Sequence, residues 1–152
     1  MTAIVIKGIE GARAHIGQHL GYSDYMEVSQ ERVNQFAEAT GDHQWIHVEV
    51  ERAKAGPYGG TIAHGLLMLC IPAAMARQLY RFEGFRLALH YGYSKVRFPN
   101  SVKVGSRIRL GSQILACEDV PGGVQITLEH TVEAEAATKP ACVAHMLMRQ
   151  LL

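Results

Sequence analysis

The sequence predicts an α+β fold in which an antiparallel sheet wraps around one buried helix, as a single domain over residues 1–152. Three observations carry this expectation. From about His64 to Tyr80 the chain is rich in Leu, Met and Ala and almost free of charge before Arg77, the composition of a helix enclosed on nearly all sides. After Gly84 the apolar residues recur every second position, the period of strands. The 152 residues are 48% hydrophobic and contain no repeat or Pro/Gly/Ser-rich linker, which suits one packed core.

The elements follow in order. An early strand is expected around Leu20 to Val28. Ser29 can then cap a helix whose first turn holds Gln30 and Glu31, with Val33, Phe36 and Ala37 as its apolar stripe and Gly41 as its stop. Pro72 interrupts the apolar helix, because an internal proline removes a backbone hydrogen bond. The expectation is a kink near Met68–Leu69 or two shorter helices. One strand runs from Leu87 to Phe98, ahead of Pro99, and another from Ser106 to Glu118 through Ile108, Leu110 and Ile114. The Pro121-Gly122-Gly123 turn leads into a strand with Val124, Ile126, Leu128, His130 and Val132 inward. A last strand follows Pro140, and Met68, Met75, Met146 and Met148 are expected to line the core.

Fifteen Lys and Arg against fourteen Asp and Glu leave a net charge of +1, which gives no field for nucleic acid or anionic lipid. A small or apolar partner is expected instead. Residues 1–9 lack the basic start and apolar core of a secretory signal, and no apolar run approaches the ~18 residues of a membrane helix. A cytoplasmic protein is expected, with no membrane partner. Cys70, Cys117 and Cys142 are odd in number, far apart and set in apolar runs, so they are expected to be buried thiols in a reducing compartment. His90, His130 and His145 lack metal-ligand spacing and are expected in core or interface.

The segment Thr40-Gly41-Asp42-His43-Gln44-Trp45-Ile46-His47 places a carboxylate and an imidazole five residues apart in a loop after a helix stop. A turn there can aim both at one water, supplying a proton acceptor and donor near neutral pH. The spacing leaves open that Asp42 caps a short helix beginning near Glu49 and that His47 packs beneath it. Trp45 is expected to wall the pocket or a subunit contact.

The run Phe36-Ala37-Glu38-Ala39-Thr40-Gly41-Asp42-His43-Gln44-Trp45-Ile46-His47-Val48-Glu49 resembles the signature of the MaoC-like, (R)-specific enoyl-CoA hydratases, which have a hot-dog fold. Asp42 and His47 fall on the family's catalytic positions. Gln44 stands where the family has Asn, and Trp45 where it has Pro. Thr61-Ile62-Ala63-His64-Gly65-Leu66-Leu67 resembles the family's Ile-Ala-His-Gly segment at the start of the buried helix. Val96-Arg97-Phe98 leading to Val104-Gly105-Ser106 is similar to the family's strand and turn, with Ser101 and Ser106 replacing Pro and Asp. The resemblance covers roughly residues 20 to 150.

The resemblance implies syn addition of water to a trans-2-enoyl thioester, carried by CoA or a carrier protein, giving an (R)-3-hydroxyacyl product. It implies Gln44, Trp45 and His64 near the substrate and a homodimer with the pocket at its contact, without metal or other cofactor. A free backbone N–H at Gly65, at a helix start, suits a thioester oxygen gaining charge. Two rivals stand beside this reading: a hot-dog thioesterase using Asp42 as base, and a catalytically silent acyl-CoA-binding module. A dehydratase with its acid on the central helix is disfavoured, since Leu66 to Ala76 contains no carboxylate.

Overall fold

In the computed structural model, which describes residues 2–152, the chain opens with β1 (Ile4–Lys7) and α1 (Gly8–Ala14). Neither was expected from the sequence, because both are short. β2 (His19–Tyr22) and β3 (Met26–Glu27) replace the single early strand. The break has a specific cause. The Ser23 hydroxyl accepts the Leu110 N–H at 2.9 Å, taking the place of a backbone carbonyl and interrupting the ladder.

α2 (Gln30–Thr40) has the expected ends: Ser29 Oγ accepts the Arg32 N–H at 3.2 Å, and Gly41 adopts a left-handed φ of 79°. Two short helices follow, α3 (Trp45–Val48) and α4 (Val50–Lys54). The central apolar segment forms α5 (Gly65–Cys70), α6 (Pro72–Met75) and one 3-10 turn (Ala76–Gln78). Of the two expected outcomes at Pro72, the structure has the two shorter helices. Pro72 takes the first position of α6, where its missing N–H costs least. Tyr80 does not belong to this helix; it begins β4 (Tyr80–Glu83), which pairs in parallel with β1.

The remaining strands are β5 (Leu87–Arg97), β6 (Arg107–Val120), β7 (Gly123–Ala134) and β8 (Cys142–Leu151). They form an antiparallel sheet in the order β2-β6-β7-β8-β5, with β3 also on β6. Leu67, Met68, Ile71 and Met75 of the central helices share one hydrophobic cluster with Ile114, Ile126, Leu128 and Met146 of the sheet. This is the hot-dog arrangement, a sheet curled over a central helix that is here broken in two. The alternation in β7 is as predicted, with Val124, Ile126, Leu128, His130 and Val132 all buried. The thiols depart from expectation: Cys142 is buried, Cys117 half-buried and Cys70 exposed. Cys70 lies on the helix face away from the cluster. Among the described residues no helix is long and apolar enough to cross a membrane.

His130 is 4% exposed, and its Nε2 lies 3.1 Å from the Tyr80 hydroxyl. Burial pushes its pKa down to about 4, with a smaller push from His90. Below the ordinary value of ~6.5 the unfolded chain therefore binds a proton that the folded chain refuses. Stability should fall as pH drops from 6.5 toward 4, by about 3 kcal/mol for this residue. In urea melts across that window, His130→Leu should lose part of the decline. An unchanged slope would remove His130 as its source.

Candidate active site

The loop after α2 brings the sequence-predicted pair together. Asp42 is exposed beyond the Gly41 stop, and His47, on α3, is 6% exposed. Asp42 does not cap a helix near Glu49; its Oδ1 accepts the Gln44 N–H at 3.3 Å, closing the turn that starts α3. His64, just before α5, is 2% exposed and stacks on His47 with ring centroids 3.9 Å apart. Its Nε2–H donates to the Asp42 carbonyl at 2.9 Å, and the Phe36 ring lies 5.0 Å from it. Ligand-type atoms of Asp42, His47 and His64 all lie within 4.8 Å of one another. One water can bridge such a gap with two ordinary hydrogen bonds. These three are also the residues whose geometry could hold a metal ion.

The tautomer of His47 follows from its partner. The Ile62 carbonyl can only accept, so at 2.6 Å it receives the Nδ1–H and leaves Nε2 with a lone pair in the neutral ring. Burial lowers the His47 pKa; the Ile62 bond opposes this, neighbouring His64 lowers it further and Asp42 raises it. The neutral form with a free Nε2 is thus favoured.

Support from behind was not legible in the sequence. Gln30 Nε2 donates to the His47 carbonyl at 2.7 Å, and the Thr61 hydroxyl donates to Gln30 Oε1 at 2.6 Å. Gln30 read only as a first-turn residue, because its partners are 17 and 31 positions away.

Gly65 opens α5, where its N–H has no acceptor within the helix. It shares a cavity of about 410 Å³ with His47, Tyr58, Met68 and Phe98. A Cβ on Gly65 would stand 3.2 Å from the Phe98 ring, so glycine keeps this wall close. Gln44 and Trp45 do not border that cavity. Gln44 is exposed, and Trp45 is half-buried beneath the Arg52 guanidinium, 4.4 Å from its ring centroid, and against Gly56.

A profile described as the MaoC like domain matches residues 12–136, and the chain belongs to that family. It is 51% identical to 3-hydroxyacyl-thioester dehydratase Z of Mycobacterium tuberculosis, over 90% of this chain and 91% of that one. Nodulation protein N of Rhizobium leguminosarum is 40% identical, over 88% and 85%. Among solved structures, a monoamine oxidase regulatory protein from Archaeoglobus superposes with a TM-score of 0.80 at 22% identity, over 100% of this chain and 99% of that one. An (R)-hydratase from Pseudomonas aeruginosa superposes with a TM-score of 0.72 at 20% identity, over 90% and 81%. These two likenesses establish the hot-dog fold.

Proposed function

We propose that this chain is a one-domain hydro-lyase acting on acyl thioesters. In this reading it interconverts trans-2-enoyl and (R)-3-hydroxyacyl thioesters, with Asp42 and His47 as the acid–base pair. The observation that carries this is a neutral imidazole with a free Nε2 beside an exposed carboxylate, opening on a cavity that also meets an unpaired amide. The relative at 51% identity, whose name is that of a 3-hydroxyacyl-thioester dehydratase, supports the reaction class.

The chemistry follows from the substrate. A thioester carbonyl withdraws electrons from the conjugated double bond, so a water oxygen can bond to the β-carbon as one of its protons leaves. His47 Nε2, with its lone pair, is placed to take that proton while Asp42 orients the water and offsets the imidazolium charge. One proton returns from the pair to the α-carbon on the same face, and the sum is addition of one water. The carbonyl oxygen gains charge on the way, and the Gly65 N–H is the donor suited to meet it. No metal or redox cofactor enters this reaction.

Because His47 titrates below its ordinary value, the acid limb of kcat/KM should have its midpoint under ~6.5. A neutral His47 beside the Asp42 carboxylate predicts a rise through that midpoint to a plateau, and a flat profile from pH 5 to 9 would count against it. Chiral analysis of the hydrated product tests the face of attack on the β-carbon: the (R)-alcohol is expected, and the (S)-alcohol would contradict it.

The protein acts as a homodimer in this proposal. β5 forms one edge of the sheet and leaves Leu87, Leu89, Tyr91 and Tyr93 exposed. An apolar edge with unpaired backbone groups seeks a second strand. Sedimentation should give a dimer, and a monomer would contradict it. The three free thiols fit a cytoplasmic, reducing setting.

A further inference from the structure

Two further cavities lie along the central helices beyond that of His47 and Gly65. Met68 borders that cavity, and the next residue, Leu69, borders a second of about 350 Å³. The second shares Ala73, His90, His130 and Met146 with a third of about 460 Å³. From Gly65 to Ala73 the backbone advances roughly 12 Å at the α-helical rise of ~1.5 Å per residue. With C–C bonds of about 1.5 Å in a zigzag, that is the reach of an extended chain of about ten carbons.

Much of the lining is apolar, as a hydrocarbon requires, but the far end is not. There His130 Nε2 meets the Tyr80 hydroxyl at 3.1 Å, and both residues are buried. Among the described residues His130 Nδ1 makes no hydrogen bond, and the residue lines this cavity. Burial keeps the ring neutral at pH 7. The Tyr80 hydroxyl can donate to Nε2, which puts the ring proton on Nδ1 as a donor toward a ligand oxygen. Gln150 lines the same space, its amide nitrogen on Met148 Sδ at 3.0 Å. Arg77, Arg81 and Arg86 stand around it. Arg81 is held by Glu83 at 3.1 Å, whereas Arg77 and Arg86 form no ion pair among the described residues.

We propose that this far end recognises an oxygen-bearing group, a carboxylate above all, at the distal end of the acyl chain. The substrate class is then enoyl thioesters with an oxidised tail. The inference rests on the hydro-lyase reading of the Asp42–His47 site. A purely hydrocarbon chain would desolvate His130 Nδ1 without a partner in either tautomer, which disfavours it. The two arginines would add charge recognition for a carboxylate.

The test compares kcat/KM for three enoyl-CoAs of about ten carbons, ending in methyl, methyl ester or carboxylate. Crotonyl-CoA, too short to reach His130, is run with the wild type. The carboxylate tail should exceed the methyl tail by about fivefold or more, the worth of one hydrogen bond. In His130→Leu the ester-to-methyl ratio should fall toward one, and the carboxylate-to-methyl ratio should fall by the same factor, keeping only the share that the arginines supply. In the double variant Arg77→Met, Arg86→Met, the carboxylate should lose its lead over the ester while the ester keeps its lead over methyl. Ratios within one variant cancel any loss of folded protein. An ester equal to the carboxylate in the wild type would assign recognition to a neutral oxygen. Hydration of crotonyl-CoA with the methyl tail preferred, or a ratio unmoved by His130→Leu, would overturn the distal site alone. If no enoyl-CoA is hydrated, the hydro-lyase reading fails and the distal site with it.

Discussion

Asp42→Asn and His47→Ala should each lower kcat by about 10² to 10⁴, the range that a positioned acid or base supplies. Circular dichroism and Tm should change little for Asp42→Asn, because that side chain is half exposed and makes one 3.3 Å contact to a backbone amide. His47→Ala deletes a buried ring that stacks on His64, so its Tm should drop as well. The two losses should not add. If the residues share one water, removing either disables the pair, and the double variant should be about as slow as the slower single one. Additive losses would mean separate tasks, and near-normal turnover in either single variant would take that residue out of the chemistry.

The second large effect concerns the fold. Gly123 begins β7, and a Cβ there would collide with the Gln150 carbonyl oxygen and lie 2.9 Å from Leu151 Cα. Both obstacles are backbone of the neighbouring β8, held by the Gly123–Leu151 and Val124–Gln150 register. No side-chain rotation relieves such a contact, so the two strands must part. Gly123→Ala should cost about 3 kcal/mol, the upper range of overpacking. For a chain of this length that lowers Tm by about 10 °C. Gly122→Ala, at the turn before it, makes an informative comparison: its Cβ would meet nothing within 4 Å, and only its φ of 81° resists the change. A Gly123→Ala Tm within a few degrees of wild type would mean that the β7–β8 ladder yields more readily than a sheet interior should.

Much of this architecture was legible because one signal dominated each element. Ser29 and Gly41 bracket α2 by capping chemistry alone, and β7 alternates without exception from Val124 to Val132. Legibility failed where a long-range contact decides the outcome. β1 and β4 are four residues each and exist by pairing with one another across more than seventy positions. The early strand broke because of one hydroxyl, Ser23, whose partner is 87 positions away. Cys70 sits in an apolar run yet faces outward, because the helix enclosing it is covered on one side only within this chain.

At the site, the Asp42–His47 pairing and the His64–Gly65 segment could be read from motif and spacing. The stacking of His64 on His47, the Ile62 carbonyl that fixes the His47 tautomer and the Gln30–Thr61 brace needed the fold. Gln44 and Trp45 show the converse. Their neighbours in sequence form the proposed acid–base pair, but the turn at Asp42 sends Gln44 to the surface and Trp45 to Arg52 and Gly56.

The most direct measurement of the central claim follows the absorbance of the conjugated thioester after crotonyl-CoA is mixed with the purified protein, while free thiol is assayed in the same sample. Hydration by this site predicts loss of absorbance without thiol release. Thiol release would identify a thioesterase, and an unchanged absorbance with tight binding of the thioester would identify a silent acyl-CoA-binding module; either result would contradict the account.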